Sequence, residues 1–333
     1  MLFHSIYIEE SVRDHPRVKT ICSRFPKADI VYCEQYGEVF NRSAQNFRLQ
    51  KTSPSLILAK KHKNFVLPAP AGYGIGSANN FYFSHMLNCV YDCRYCFLQG
   101  MYQSANYVLF VNYEDYFAEI DALNENSSSG SPHYFSGYDC DSLALEPVTG
   151  FADACLAYFA DHSDGLLELR TKSTQIRGLL DRDVLENVVV AFSLSPANIV
   201  DALEHKTPSL DRRLEAINKL SSRGWKIGLR FDPVIFFDDY RERYAQFFEQ
   251  VFSQLELTNL HSVSLGVFRL PVRFFKRVAD LYPEEKLFAS SMVDNDGMMT
   301  YAEKIESEMM NFCEKEILRY IDNSLYFPCR YDI

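Results

Sequence analysis

"HMLNCVYDCRYCFLQG", residues 85–100, sets Cys89, Cys93 and Cys96 in a C-x3-C-x2-C pattern with no fourth cysteine nearby. A disulfide takes two cysteines, and a tetrahedral structural zinc takes four protein ligands. His85 could complete a zinc site, but such sites usually pair two knuckles a dozen or more residues apart, and no second pair follows. Thiolates also suit iron–sulfur clusters. A 4Fe–4S cluster held by three thiolates keeps one iron open, and an open iron can bind a small molecule.

The rest of the chain frames that loop. Its 333 residues are 47% hydrophobic and 23% charged, an ordinary globular composition. No run of about 18 apolar residues occurs, so no membrane span is expected. The opening "MLFHSIYIEESVRDHPR" mixes acids and bases early, unlike a signal peptide, and the cytoplasm is the expected compartment. Nine cysteines, an odd number, argue against a disulfide framework there.

From about residue 81 onward, short apolar runs alternate with amphipathic ones. "FYFSHML", "HYFSGYD", "GLLELRTK", "NVVVAFSLS", "WKIGLRFDPV" and "SVSLGVFRL" read as strands, with helical patterns between them. In "SLDRRLEAINKL", Leu210, Leu214, Ile217 and Leu220 recur at helical spacing, and Ser209 is placed to cap the start. Strands alternating with helices predict parallel βαβ units wound one way, either a doubly wound sheet or an open part of a barrel. In barrels, chemistry gathers at the C-terminal ends of the strands. The expected organisation is an N-terminal α/β cap over 1–76, a β/α body over 77–283, and a hairpin with a long helix over 284–333. "GYGIG" (residues 72–76) imitates a dinucleotide fingerprint, but no strand–helix unit frames it.

The cysteine loop and this series together resemble the radical S-adenosylmethionine (radical SAM) enzymes, and "CRYCFLQG" resembles the cluster loop of the spore photoproduct lyase family. The resemblance implies a partial (β/α)6 TIM-like barrel with a 4Fe–4S cluster on Cys89, Cys93 and Cys96. It implies S-adenosyl-L-methionine as the second cofactor, cleaved reductively to a 5′-deoxyadenosyl radical. Tyr95 would lie against adenine. "LELRTKS" and "AFSLSP" are similar to the strands that carry SAM-contacting residues, which map to Lys172 and Ser193. The implied activity is that of a lyase repairing a UV-induced thymine dimer in DNA, fed by an electron donor such as flavodoxin or ferredoxin. A radical-SAM enzyme acting on a peptide, tRNA or small molecule is the alternative, and a zinc-bound scaffold is a further one.

The family returns a hydrogen atom to its product from a cysteine on the second strand. Aligning "DSLALEPVT" without gaps sets Tyr138 at that position and Cys140 at a SAM-contacting one; a two-residue slip would make Cys140 the donor. On a strand both would share a face. Phe97 stands where the family has tyrosine. Net charge is −10, and residues 294–314 hold six acids against Lys304 alone, which opposes a phosphate backbone. The expected DNA contact is residues 42–63, with Arg42, Arg48, Lys51, Lys60, Lys61, Lys63 and no acid. Arg230 and Asp232 are expected to pair with each other.

Overall fold

The strand Val188–Ser193 is buried at every residue and rich in β-branched side chains, the signature of a strand covered on both faces. It is central to the larger of two main sheets in the computed structural model, which describes residues 3–70, 72–126, 130–162 and 164–329. Six strands lie parallel in chain order: Asn80–Phe83, His133–Ser136, Leu166–Thr171, Val188–Ser193, Lys226–Val234 and Leu260–Val267. Tyr326–Pro328 adds a parallel strand at one edge, and Val66–Pro68 an antiparallel strand at the other. These two edges do not pair with each other, so the sheet is an open, partial (β/α)6 barrel.

Helices fill the crossovers, among them Tyr113–Glu125, Phe151–Asp161, Leu210–Ser221, Tyr240–Gln254 and Val272–Leu281. Leu210–Ser221 follows its predicted pattern. Leu210, Leu214, Ile217 and Leu220 are buried, and the Ser209 hydroxyl accepts from Arg212 N. The same helix also buries Arg213, which hydrophobic periodicity would leave in solvent.

The second sheet runs Asp29–Cys33, Ser5–Glu9, Leu56–Ala59, Tyr107–Phe110 and Met86–Leu87, the last strand antiparallel. It thus takes strands from both sides of residue 76. "FYFSHML", expected as one strand, is two: Asn80–Phe83 joins the barrel, and Met86–Leu87 joins this cap sheet. The change of sheet occurs at Ser84–His85, just before the cysteines. A C-terminal hairpin, Met292–Asn295 with Met298–Tyr301, precedes the helix Glu303–Ile317. No described helix is long and apolar enough to cross a membrane.

Candidate active site

A cavity of about 490 Å³ opens at the C-terminal ends of the barrel strands. Each of the six parallel strands contributes to its wall: Tyr82 from the first, Tyr138 just past the second, and Thr171 and Lys172 at the end of the third. Ser193 ends the fourth, Asp232 lies on the fifth, and Phe268 follows the sixth. Cys89, Cys93, Cys96, Tyr95, Phe97 and Cys140 line the same space. The eight residues to which the resemblance gives cluster, cofactor or hydrogen-donor roles therefore line one cavity.

The cysteine loop is held from several sides. Asn88, at positive φ, donates through Nδ2 to the carbonyls of Ser104 (2.8 Å) and Asn106 (2.7 Å). Gln99 donates to Asp92 (3.0 Å) and to Cys93 O (3.3 Å), and accepts from the Tyr282 hydroxyl (3.2 Å). Asp92 also pairs with Lys51 (2.5 Å) and Arg94 (2.7 Å), and Arg94 lies over the Tyr282 ring at 3.9 Å. Gly100 completes this "FLQG" turn because there is no room for more: an added Cβ would stand 2.6 Å from Phe274 O. Gln99 and Gly100, after the third cysteine, thus have a hydrogen-bonding and a packing reason respectively.

The thiols themselves are desolvated. Burial raises all three, with neighbouring carboxylates and thiols adding to it, and Cys93 is pushed up to about 12. Cys93 is buried and Cys89 and Cys96 are half-buried; such a thiolate set needs positive charge to stay ionised, and a bound metal group supplies it. Among the described residues, no three His, Cys, Asp or Glu side chains converge closely enough to hold one metal ion. The thiols frame a space. His85, which the zinc reading requires, is no part of that wall. Its ring stacks on Phe151 (centroids 3.9 Å apart, planes 4° apart), and its Nδ1 lies 3.8 Å from Cys140 Sγ. Three thiols around a shared cavity fit a polynuclear cluster better than a closed zinc site.

Beneath the thiols lies a polar floor that sequence reasoning missed. Glu204 accepts from the Tyr95 hydroxyl, from Ser195 Oγ (3.0 Å) and from Arg213 Nη2 (2.5 Å). Arg213 donates further to the carbonyls of Ser193 (3.1 Å) and Pro208 (3.0 Å). Both side chains of the pair are fully buried. Burial acts against the Glu204 charge, but Lys172 and Arg213 outweigh it and hold the carboxyl below its usual range. Burial likewise opposes the Lys172 charge, and Glu204 and Cys93 more than offset it. Lys172 stands 5.7 Å from the Tyr95 ring centroid. Asp141 orders the neighbouring wall, accepting from Lys172 N (2.6 Å) and Thr171 Oγ1 (2.6 Å).

Two expectations change. Arg230 pairs with Glu168 (2.7 Å) rather than with Asp232, and Asp232 pairs with Arg269 (3.6 Å). Tyr138 and Cys140 do not share a strand, which ends at Ser136; Gly137, at φ 87°, turns the chain into the cavity, and both residues still reach it. Tyr138 is 39% exposed and packs on Tyr82 (4.2 Å) and Phe97 (5.3 Å), whereas Cys140 is buried. In the 42–63 stretch, Lys51 pairs with Asp92, Arg48 with Glu284, and Lys61 lies over Phe110 and Tyr116, while Arg42, Lys60 and Lys63 form no ion pair among the described residues.

An open parallel barrel with a three-thiol loop at the C-terminal ends of its strands is the layout of a radical-SAM protein. The chain belongs to the spore photoproduct lyase family, whose family model, "Spore photoproduct lyase", matches residues 4–296. Spore photoproduct lyase of Bacillus subtilis is 24% identical over 293 residues, covering 85% of this chain and 83% of the relative. That of Clostridium acetobutylicum is 19% identical, covering 96% and 99%. A Geobacillus relative is 24% identical over 204 residues, and the match spans 59% of its length. Among solved structures, a spore photoproduct lyase double mutant with bound AdoMet and dinucleoside spore photoproduct matches with a TM-score of 0.85 at 18% identity, over 99% of both chains. The lyase complexed with the dinucleoside alone matches with a TM-score of 0.82, over 99% of this chain and 98% of the other. These likenesses are of fold.

Proposed function

We propose that this chain is a radical-SAM lyase that repairs a thymine-dimer lesion in DNA. Cys89, Cys93 and Cys96 would hold a 4Fe–4S cluster, with S-adenosylmethionine beside it. The observation that carries this reading is the single cavity shared by the three thiols, Tyr95, Lys172, Ser193, Tyr138 and Cys140. When bound, the cluster and cofactor supply an electron and a 5′-deoxyadenosyl radical that takes a hydrogen atom from substrate.

This chain's residues orient and complete that chemistry. Glu204 fixes the Tyr95 ring through its hydroxyl, so the ring face can receive adenine. Lys172, kept protonated by Glu204, is a cation for the cofactor's carboxylate. The product radical then needs one hydrogen atom back. Both Tyr138 and Cys140 line the cavity; we assign the donor role to the Tyr138 O–H, since Tyr138 is 39% exposed and Cys140 is buried with its Sγ beside His85 Nδ1. Tyr138 packs on Phe97, so the phenol absent at position 97 has a neighbour able to supply it. Nine free thiols suit the reducing cytoplasm, and a flavodoxin- or ferredoxin-type protein would provide the electron.

The test is anaerobic reconstitution followed by turnover. The expected product is a brown protein with about four irons per chain and absorption near ~400 nm. With reductant and SAM it should convert the synthetic dimer lesion to thymines. Colourless protein with one zinc per chain would end this reading, and cofactor cleavage without lesion repair would reassign the substrate.

A further inference from the structure

The helix Val272–Leu281 follows the sixth barrel strand at the cavity mouth, where Pro271 and Phe274 line the wall. Arg273, Lys276 and Arg277 stand at i, i+3 and i+4, so they share one side of it. Arg273 and Lys276 are exposed, and Arg277 is half-buried, donating to Gly100 O at 3.2 Å. Neighbouring cations are neutralised: Arg269 pairs with Asp232, Arg94 with Asp92 and Glu285, and Arg48 with Glu284. None of Arg273, Lys276 and Arg277 forms an ion pair among the described residues, in a chain whose net charge is −10. Asp280, four residues after Lys276, adds one acid to this side without closing to ion-pair distance, so the stripe keeps a net positive charge with Arg273 and Arg277 as like charges at i and i+4. Burial and then Arg273 lower the Arg277 guanidinium from its usual range, consistent with that repulsion.

We infer that the Arg273–Lys276–Arg277 face receives the phosphodiester backbone of the DNA strand flanking the lesion lodged in the cavity. The inference rests on the DNA reading above and gives it a route. The alternatives beside the cavity are poorer. The hairpin exposes Asp294 and Asp296, and within residues 42–63 Arg48 and Lys51 are already ion-paired and Lys61 lies over aromatic rings. The stripe starts one residue before Phe274, so a nucleotide in the cavity and its neighbouring phosphates are reached by one helix.

The test is equilibrium binding of a fluorescein-labelled lesion-containing duplex to the full-length reconstituted protein across a salt series. Each neutralised phosphate contributes about 0.9 to the slope of log K against log salt. Arg273→Gln/Lys276→Gln should lower that slope by about 2 in magnitude. Arg273→Lys/Lys276→Arg, which preserves charge, should keep it. Lys304→Gln/Lys315→Gln makes the same net change on the exposed side of the C-terminal helix and should leave the slope unchanged. Binding by the wild type with an unaltered slope in the Arg273→Gln/Lys276→Gln protein would overturn the inference and leave the DNA reading standing. Equal losses in both Gln pairs would also overturn it, as an effect of net charge alone. No salt-dependent binding by the wild type would overturn both.

Discussion

Replacing Glu204 by Gln removes one charge from the site floor and leaves its shape. Gln keeps an oxygen that can accept from Tyr95 and Ser195, so the change isolates the ionic part of the contact. Arg213 then remains ionised, since a guanidinium does not deprotonate, and it is fully buried. Its remaining acceptors are neutral: the carbonyls of Ser193 and Pro208, and Thr207 Oγ1 at 2.7 Å. Breaking a fully buried ion pair from one side costs roughly 3–5 kcal/mol, and three residual acceptors argue for the lower end, about 3 kcal/mol. Arg213→Met strands Glu204 in the same way, though Lys172 still faces it. The double variant no longer strands the Arg213 guanidinium or the Glu204 carboxylate, and leaves only Lys172 short of a partner, so its loss should fall about 2 kcal/mol or more short of the two single losses added together. The chain has one tryptophan, Trp225, which is fully buried in the barrel and reports urea unfolding directly. Additive losses, or a Glu204→Gln loss under about 1 kcal/mol, would refute the claim that this pair carries the floor.

Other outcomes follow from contacts already described. Burial lowers His85 from 6.5 to about 3, so the unfolded chain binds a proton there that the folded chain refuses. Stability should therefore be full above pH 6.5 and fall by about 1.4 kcal/mol per unit as pH drops toward 3. His85→Gln should flatten that slope by the same amount in urea titrations between pH 6.5 and 4. Gly100→Ala forces a Cβ to 2.6 Å from the Phe274 carbonyl oxygen and should cost about 1–3 kcal/mol in thermal melts followed by circular dichroism. Tyr138→Phe should abolish hydrogen return to the product while cofactor cleavage persists, and Cys140→Ala should not; the reverse result would make Cys140 the donor. Cys93→Ala should lose the visible absorption of the reconstituted protein, whatever substrate is offered.

The parts legible in the sequence were those fixed by local spacing. The cysteine loop is one, and the Ser209-capped helix is another, because cap, period and burial all lie within a dozen neighbouring residues. Residues whose role comes from distant partners were not legible. Glu204 reads as a surface acid in "DALEHKT", yet it meets Tyr95 from 109 residues away. The cations of residues 42–63 look free in a row, but Lys51 finds Asp92 41 positions on, and Arg48 finds Glu284 236 positions on. "FYFSHML" has a continuous strand pattern because periodicity does not record which sheet receives a strand. Its break between two sheets is a matter of tertiary placement.

The bare contact at Gly100 has a mechanical consequence. The short helix after Cys96 and the cation-bearing helix Val272–Leu281 meet there backbone against backbone, with no side chain between them to yield. Close-packed interiors transmit displacement rather than absorb it. On the proposal above, a strand bound at Arg273 and Lys276 would bear, through Phe274, on the turn that follows Cys96. On that same reading, the surface that would receive the DNA strand and the loop that would hold the cluster are joined at Gly100, a residue whose lack of a side chain permits the contact.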